Sequence, residues 1–99
     1  MAEKCIQDDY TLIGIGEMGI ANTTPSTAII SVFDNCDPSE ITGMGAGLKK
    51  ELLKHKADVI RKSIELNKPN PKDAVDVLSK VGGFEIGAMA GVILGCAAN

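Results

Sequence analysis

Aromatic side chains are scarce: the 99 residues hold no tryptophan, one tyrosine and two phenylalanines. Tyr10, Phe33 and Phe84 leave little for stacking on bases. The basic residues form no patch interleaved with aromatics, and the net charge is −3, so nucleic acid is not an expected partner. Histidine occurs once, and the cysteines Cys5, Cys36 and Cys96 are far apart with no C-x-x-C pair. This spacing gives neither a zinc site nor a disulfide framework, and it suits a reducing, cytoplasmic compartment. A long apolar run is also missing. The uncharged stretch Ile86 to Asn99 is shorter than the about 17–25 residues that span a bilayer, and Glu85 stands at its edge. Met1-Ala2-Glu3-Lys4 lacks the apolar core of a signal peptide. A small domain without membrane, metal or cofactor is the expectation. A chain this short buries only roughly 60–70% of its unfolded surface.

Glycine, by contrast, is plentiful, with eleven residues, and its placement is informative. Tyr10-Thr11-Leu12-Ile13-Gly14-Ile15 reads as a buried strand of a parallel sheet. It runs into Gly16-Glu17-Met18-Gly19-Ile20-Ala21-Asn22 and then Thr23-Thr24-Pro25, where Thr24 suits a helix cap and Pro25 a first helical position. Strand, glycine loop and helix N-terminus together form a place for an anion. Glu17 puts a carboxylate in that loop, which favours contact with a sugar, a base or a proton over phosphate itself. Gly14, Gly16 and Gly19 satisfy GxGxxG, but Asp34 and Asp37 fall in a polar turn with no strand before them. A Walker-type loop would need Gly-Lys-Ser/Thr, and no lysine follows. A glycine turn without ligand remains open on spacing alone.

The rest of the chain reads as helices. One is predicted from Pro25 to about Phe33, with Ala28, Ile29, Val32 and Phe33 on its apolar side. A short turn near Pro38–Ile41 precedes the loop Gly43-Met44-Gly45-Ala46-Gly47. A long amphipathic helix follows from about Lys49 to Leu66, striped by Leu53, Ala57, Ile60 and Ile64. Another runs from about Pro71 to Val81, stopped by Gly82 with Lys80 in its last turn. Lys56 lies between Leu52 and Ile60 on one helical surface, nearer the buried side than Lys50, Lys54 or Lys62. Gly83, Gly87, Gly91 and Gly95 align on one face of a last helix, fit for close packing against a neighbour.

The motif Gly16-Glu17-Met18-Gly19-Ile20-Ala21-Asn22-Thr23-Thr24-Pro25 resembles the central motif of the nicotinate-nucleotide–dimethylbenzimidazole phosphoribosyltransferases. The likeness continues through Gly43 to Leu48, Lys56 to Ile60, Asn70 to Asp73 and Asp76 to Glu85, in the family's order. Ala21 stands where the family usually has glycine. The resemblance implies an α/β fold: a partial Rossmann-like parallel-sheet domain, here mostly helical, with strand, glycine loop and helix followed by three further helices. Residues 10–99 would be the central segment of that domain, and residues 1–9 an N-terminal tail. The implied reaction moves the ribose phosphate of nicotinate mononucleotide to 5,6-dimethylbenzimidazole, giving α-ribazole 5′-phosphate and nicotinate. No metal is needed, because no pyrophosphate leaves.

The resemblance also assigns roles. Glu17 would act on the positive charge that develops on the ribose, with Met18 beside it. Gly19, Asn22, Thr23, Thr24, Gly45 and Gly47 would hold the ribose phosphate, and Lys56 would neutralise it. His55 reads as surface, as do Asp76 and Ser79. The family's base is a glutamate in a later Gly-Glu-Gly segment, expected beyond Asn99. These 99 residues alone are therefore expected to be inactive. A homodimer or a complementary chain is the expected association. The rival reading is a nucleotide-binding or interaction module without catalysis.

Overall fold

Proline, glycine and capping carboxylates punctuate the chain into helices, and in the computed structural model all 99 residues are described. The helices are α1 (Ala2–Gln7), α2 (Thr23–Asp34), α3 (Pro38–Ile41), α4 (Leu53–Asn67), α5 (Ala74–Val81) and α6 (Phe84–Ala97). A 3₁₀ turn, Lys50–Leu52, leads into α4. There is no strand. Tyr10 to Ile15 is apolar but irregular, and no backbone hydrogen bond joins residues 11–18 to any other segment. A strand exists only as a pair, and no second strand lies within reach of this one. The parallel sheet is thus absent from this segment, and Leu12 is 89% exposed. Residues 1–9, expected as a tail, carry α1.

Helix boundaries follow the local chemistry more closely than composition alone suggests. α2 starts two residues early, from Asn22 as cap, so Pro25 falls at its third position, where no hydrogen bond is lost. It ends at Asn35, which takes a left-handed conformation (φ 50°, ψ 44°) and donates its N–H to the Ser31 carbonyl. α3 matches expectation, with Asp37 accepting from the Ser39 N–H at 2.9 Å and Pro38 opening the helix. α5 begins later than expected, at Ala74, because Asp73 caps both the Val75 and Asp76 N–H groups. Asn70 instead closes a turn on the Lys72 N–H.

Packing is thin. Ala28 of α2, Ile60 of α4, and Val77 and Val81 of α5 form the core, with Ile29, Val32 and Ile64 against it. Phe33, placed on the apolar side by sequence, is 46% exposed; Thr27 and Ser31 are buried in that helix instead. Thr27 and Ser31, four residues apart, share one helical face, whereas Phe33, two residues beyond Ser31, is turned away from it. The molecule measures 47 × 31 × 17 Å, and 17 Å is under two helix diameters of about 10–12 Å. α6 leaves the bundle at Gly82-Gly83, and α1 lies against its other end. There Gly95 serves close approach, since a Cβ at this position would fall 2.7 Å from that of Ala2.

Surface charge ties α3 to α4. Arg61 reaches Asp37 with two nitrogens, at 2.7 and 3.0 Å, and Asp58 at 2.7 Å. The guanidinium, and then Ser39, hold the Asp37 carboxyl well below its ordinary value of 3.8. A depressed folded pKa contributes stability above the unfolded value and loses it as pH falls through the folded one. Asp37→Asn should therefore lower the thermal midpoint at pH 6, and the gap to wild type should shrink once the pH drops below 3.8. Circular dichroism melts from pH 6 to pH 2 test this; a gap that stays constant would show that the pair contributes nothing.

Candidate functional site

Lys56 is the cation of α4 that reaches across to the head of α2. Its backbone sits one turn before Ile60, whose burial presses α4 against α2. The half-buried side chain thus runs toward the head of α2. Its ammonium donates to Thr23 Oγ1 and to the Gly43 carbonyl, each at 2.8 Å. An ammonium has three donors, so one remains. None of the chain's ion pairs involves Lys56, so its charge is not neutralised.

The glycine loop between Gly43 and Leu48 closes over the same place. Ala46 donates its N–H to the Gly19 carbonyl at 3.1 Å, joining the two glycine loops. Gly45 has φ +60°, and a Cβ there would fall 2.9 Å from Thr23 Oγ1, the oxygen that Lys56 holds. Only glycine fits. A cleft of about 470 Å³ results, walled by both loops, the head of α2 and the first turns of α4. The N–H groups of Thr23 and Thr24, at the positive end of α2, and of Gly45 and Gly47 donate to no group of the chain. An unpaired ammonium and orphan amides thus meet around one cleft, a combination that favours an anion.

Six of the nine candidate residues line this cleft: Gly19, Thr23, Thr24, Gly45, Gly47 and Lys56. Glu17 and Met18 do not; they lie on the exposed arm before Gly19, where Glu17 Oε2 accepts the Gly19 N–H. Asn22 is 5% exposed and lies behind the wall, its Oδ1 buried without a partner. His55 lines the cleft although it is exposed and reads as surface in sequence. Helical spacing from Lys56 does not reveal it, because the neighbour one residue away faces another direction. Nowhere do three His, Cys, Asp or Glu side chains gather to hold a metal. No helix is long and apolar enough to cross a membrane.

Comparison with known proteins bears on the whole chain. A phosphoribosyltransferase family model matches residues 1–99. The chain belongs to this phosphoribosyltransferase family. A nicotinate-nucleotide–dimethylbenzimidazole phosphoribosyltransferase of Clostridioides difficile is 78% identical over all 99 residues, which cover 28% of that protein. Enzymes of the same name from Alkaliphilus metalliredigens and Escherichia coli (strain Crooks) are 57% and 56% identical, over 100% and 92% of the chain. These matches cover 28% and 25% of the two relatives. The chain thus spans about a quarter of the length of these relatives.

In this phosphoribosyltransferase segment Ala21 is under strain. It has φ 63°, left-handed backbone that an L side chain rarely adopts, and it sits in the wall of the cleft. Such a conformation costs an alanine roughly 1–2 kcal/mol against glycine. Ala21→Gly should raise the stability of the chain by about 1 kcal/mol, read as a higher urea midpoint at unchanged slope. An unchanged or lower midpoint would mean that Ala21 is not strained in solution.

Proposed function

We propose that the chain is the nucleotide-holding part of an enzyme that transfers the ribose phosphate of nicotinate mononucleotide to 5,6-dimethylbenzimidazole. The products would be α-ribazole 5′-phosphate and nicotinate. The observation that carries this is the unpaired Lys56 ammonium, fixed at the head of α2 among orphan N–H groups. In this assignment the phosphate takes the third Lys56 donor and the amides of Thr23, Thr24, Gly45 and Gly47. Asn22 supports the loop from behind. Glu17 and Met18, on the exposed arm, serve the sugar and the acceptor base. Glu17 stabilises positive charge on the ribose as the bond to nicotinate breaks, after giving up its hold on the Gly19 N–H. The reaction takes place in the cytoplasm and needs no metal.

The remainder of the active site comes from outside residues 1–99. Tyr10 to Ile15 is apolar and unpaired, and we assign it as a strand of a Rossmann-like parallel sheet completed by other polypeptide. Phe84, Leu94 and Ile93 are 99%, 70% and 55% exposed, which suits a face covered by a complementary chain or a second subunit. The general base belongs to that part. The share of the relatives that the chain spans also favours a second reading, a module that binds nucleotide without turnover. Adding the missing part in trans separates the two, because only the enzyme then releases nicotinate.

Binding is tested by amide-resolved NMR titration of the chain with nicotinate mononucleotide. Saturable shifts are expected at Gly19, Gly45 and Gly47. Lys56→Ala should weaken binding about 10- to 100-fold, the range of a hydrogen bond to a charged group. Equal affinity in the variant would remove Lys56 from the phosphate site.

A further inference from the structure

A second cleft, of about 450 Å³, adjoins the first, and Ala21, Thr24 and Val59 line both. Its other walls are Ser63 of α4 and the α5–α6 junction, which includes Lys80 and Glu85. The lysine is already engaged, with its ammonium 2.9 Å from Asp76 Oδ1 and 3.3 Å from the Lys68 carbonyl. Glu85 is not. Its Oε1 is buried and accepts no hydrogen bond. Only three side-chain atoms of the molecule are left in that state, and Asn22 Oδ1, between Ala21 and Thr23, is another. The carboxylate folds back over Gly83, where a Cβ would collide with both of its oxygens. Glycine at this junction therefore makes room for the carboxylate.

A desolvated carboxylate oxygen is unfavourable until a donor reaches it. An ionised carboxylate only accepts, and it repels phosphate. Once swung off Gly83 into its cleft, the carboxylate gives the adjoining clefts opposite demands: an anion at Lys56, and a neutral group rich in O–H donors at Glu85. A ribose 5-phosphate has both parts. A pyridinium ring would supply charge but no N–H donor, and so would leave Oε1 unpartnered.

We propose that Glu85 accepts the ribose hydroxyls of a nucleotide whose phosphate lies at Lys56, and so selects ribose over deoxyribose. This assignment rests on the phosphate site proposed above. It makes Glu85 a specificity residue at the sugar, distinct from Glu17 on the loop.

The test is isothermal titration of the 99-residue chain with ribose 5-phosphate, 2-deoxyribose 5-phosphate and inorganic phosphate. Wild type should bind the ribose form about tenfold more tightly than the deoxyribose form, as one charge-assisted hydrogen bond provides. Glu85→Gln, which keeps the side chain's size, should abolish that preference without changing the affinity for inorganic phosphate. Glu85→Asp should restore part of it. Wild type binding both sugars equally, or a preference that survives in Glu85→Gln, would overturn the role of Glu85 and leave the phosphate site standing. Failure of inorganic phosphate to bind in a Lys56-dependent way would overturn both.

Discussion

The Lys56 ammonium joins two pieces of chain that have little packing of their own. One is the head of α2, through Thr23 Oγ1; the other is the glycine loop, through the Gly43 carbonyl. Neither piece is anchored by apolar burial, because Gly43 to Gly47 are all exposed and Thr23 is only half-buried. A charge-assisted hydrogen bond is about twice as strong as a neutral one, so a single lysine can order a glycine loop that has little packing of its own. Lys56 is in turn placed by burial lower on the same helix, where Ala57 and Ile60 are 3% and 0% exposed. The core therefore acts on the site through α4. Packing sets the lysine, and the lysine shapes the cleft.

The same arrangement fixes the backbone around the cleft. Glycine at position 45 brings backbone against the Thr23 hydroxyl, and the Ala46 N–H reaches the Gly19 carbonyl. The donors are preorganised and their charge is uncompensated, so an anion meets little reorganisation. The cost is carried elsewhere. Ala21 takes left-handed backbone beside the cleft, and Asn22 and Glu85 each keep an unpaired buried oxygen.

Much of this was legible in the sequence. The short turn at Pro38–Ile41 is α3, the 3.6-residue stripe marked α4, and Gly82 ended α5 where expected. Lys56 could be singled out because helical spacing alone puts it closer to the buried side than its neighbouring lysines. Other features depend on partners and left no local trace. The apolar run Tyr10 to Ile15 has strand composition, but a strand needs an adjacent strand and this segment offers none. The starts of α2 and α5 turned on which of several polar residues captured the first free N–H groups. Glu17, Met18 and Asn22 belong to the recognised motif, yet they lie outside the cleft, since a motif orders residues along the chain and not around a cavity. His55 carried no pattern of its own and joined its wall through the packing of α4 on α2; Glu85 closed the last stretch of the likeness, but only the α5–α6 junction put it in a wall.

Hydrogen exchange at one amide tests the central claim most directly. The Ala46 N–H is protected only while the glycine loop stays against Gly19. If Lys56 holds that loop, Lys56→Met should speed exchange at Ala46 by about tenfold or more, as expected for loss of a hydrogen bond to a charged group. The amide of Ile60 in the core should keep its wild-type rate. Unchanged exchange at Ala46 would contradict the account, since the loop would then hold its place without the lysine.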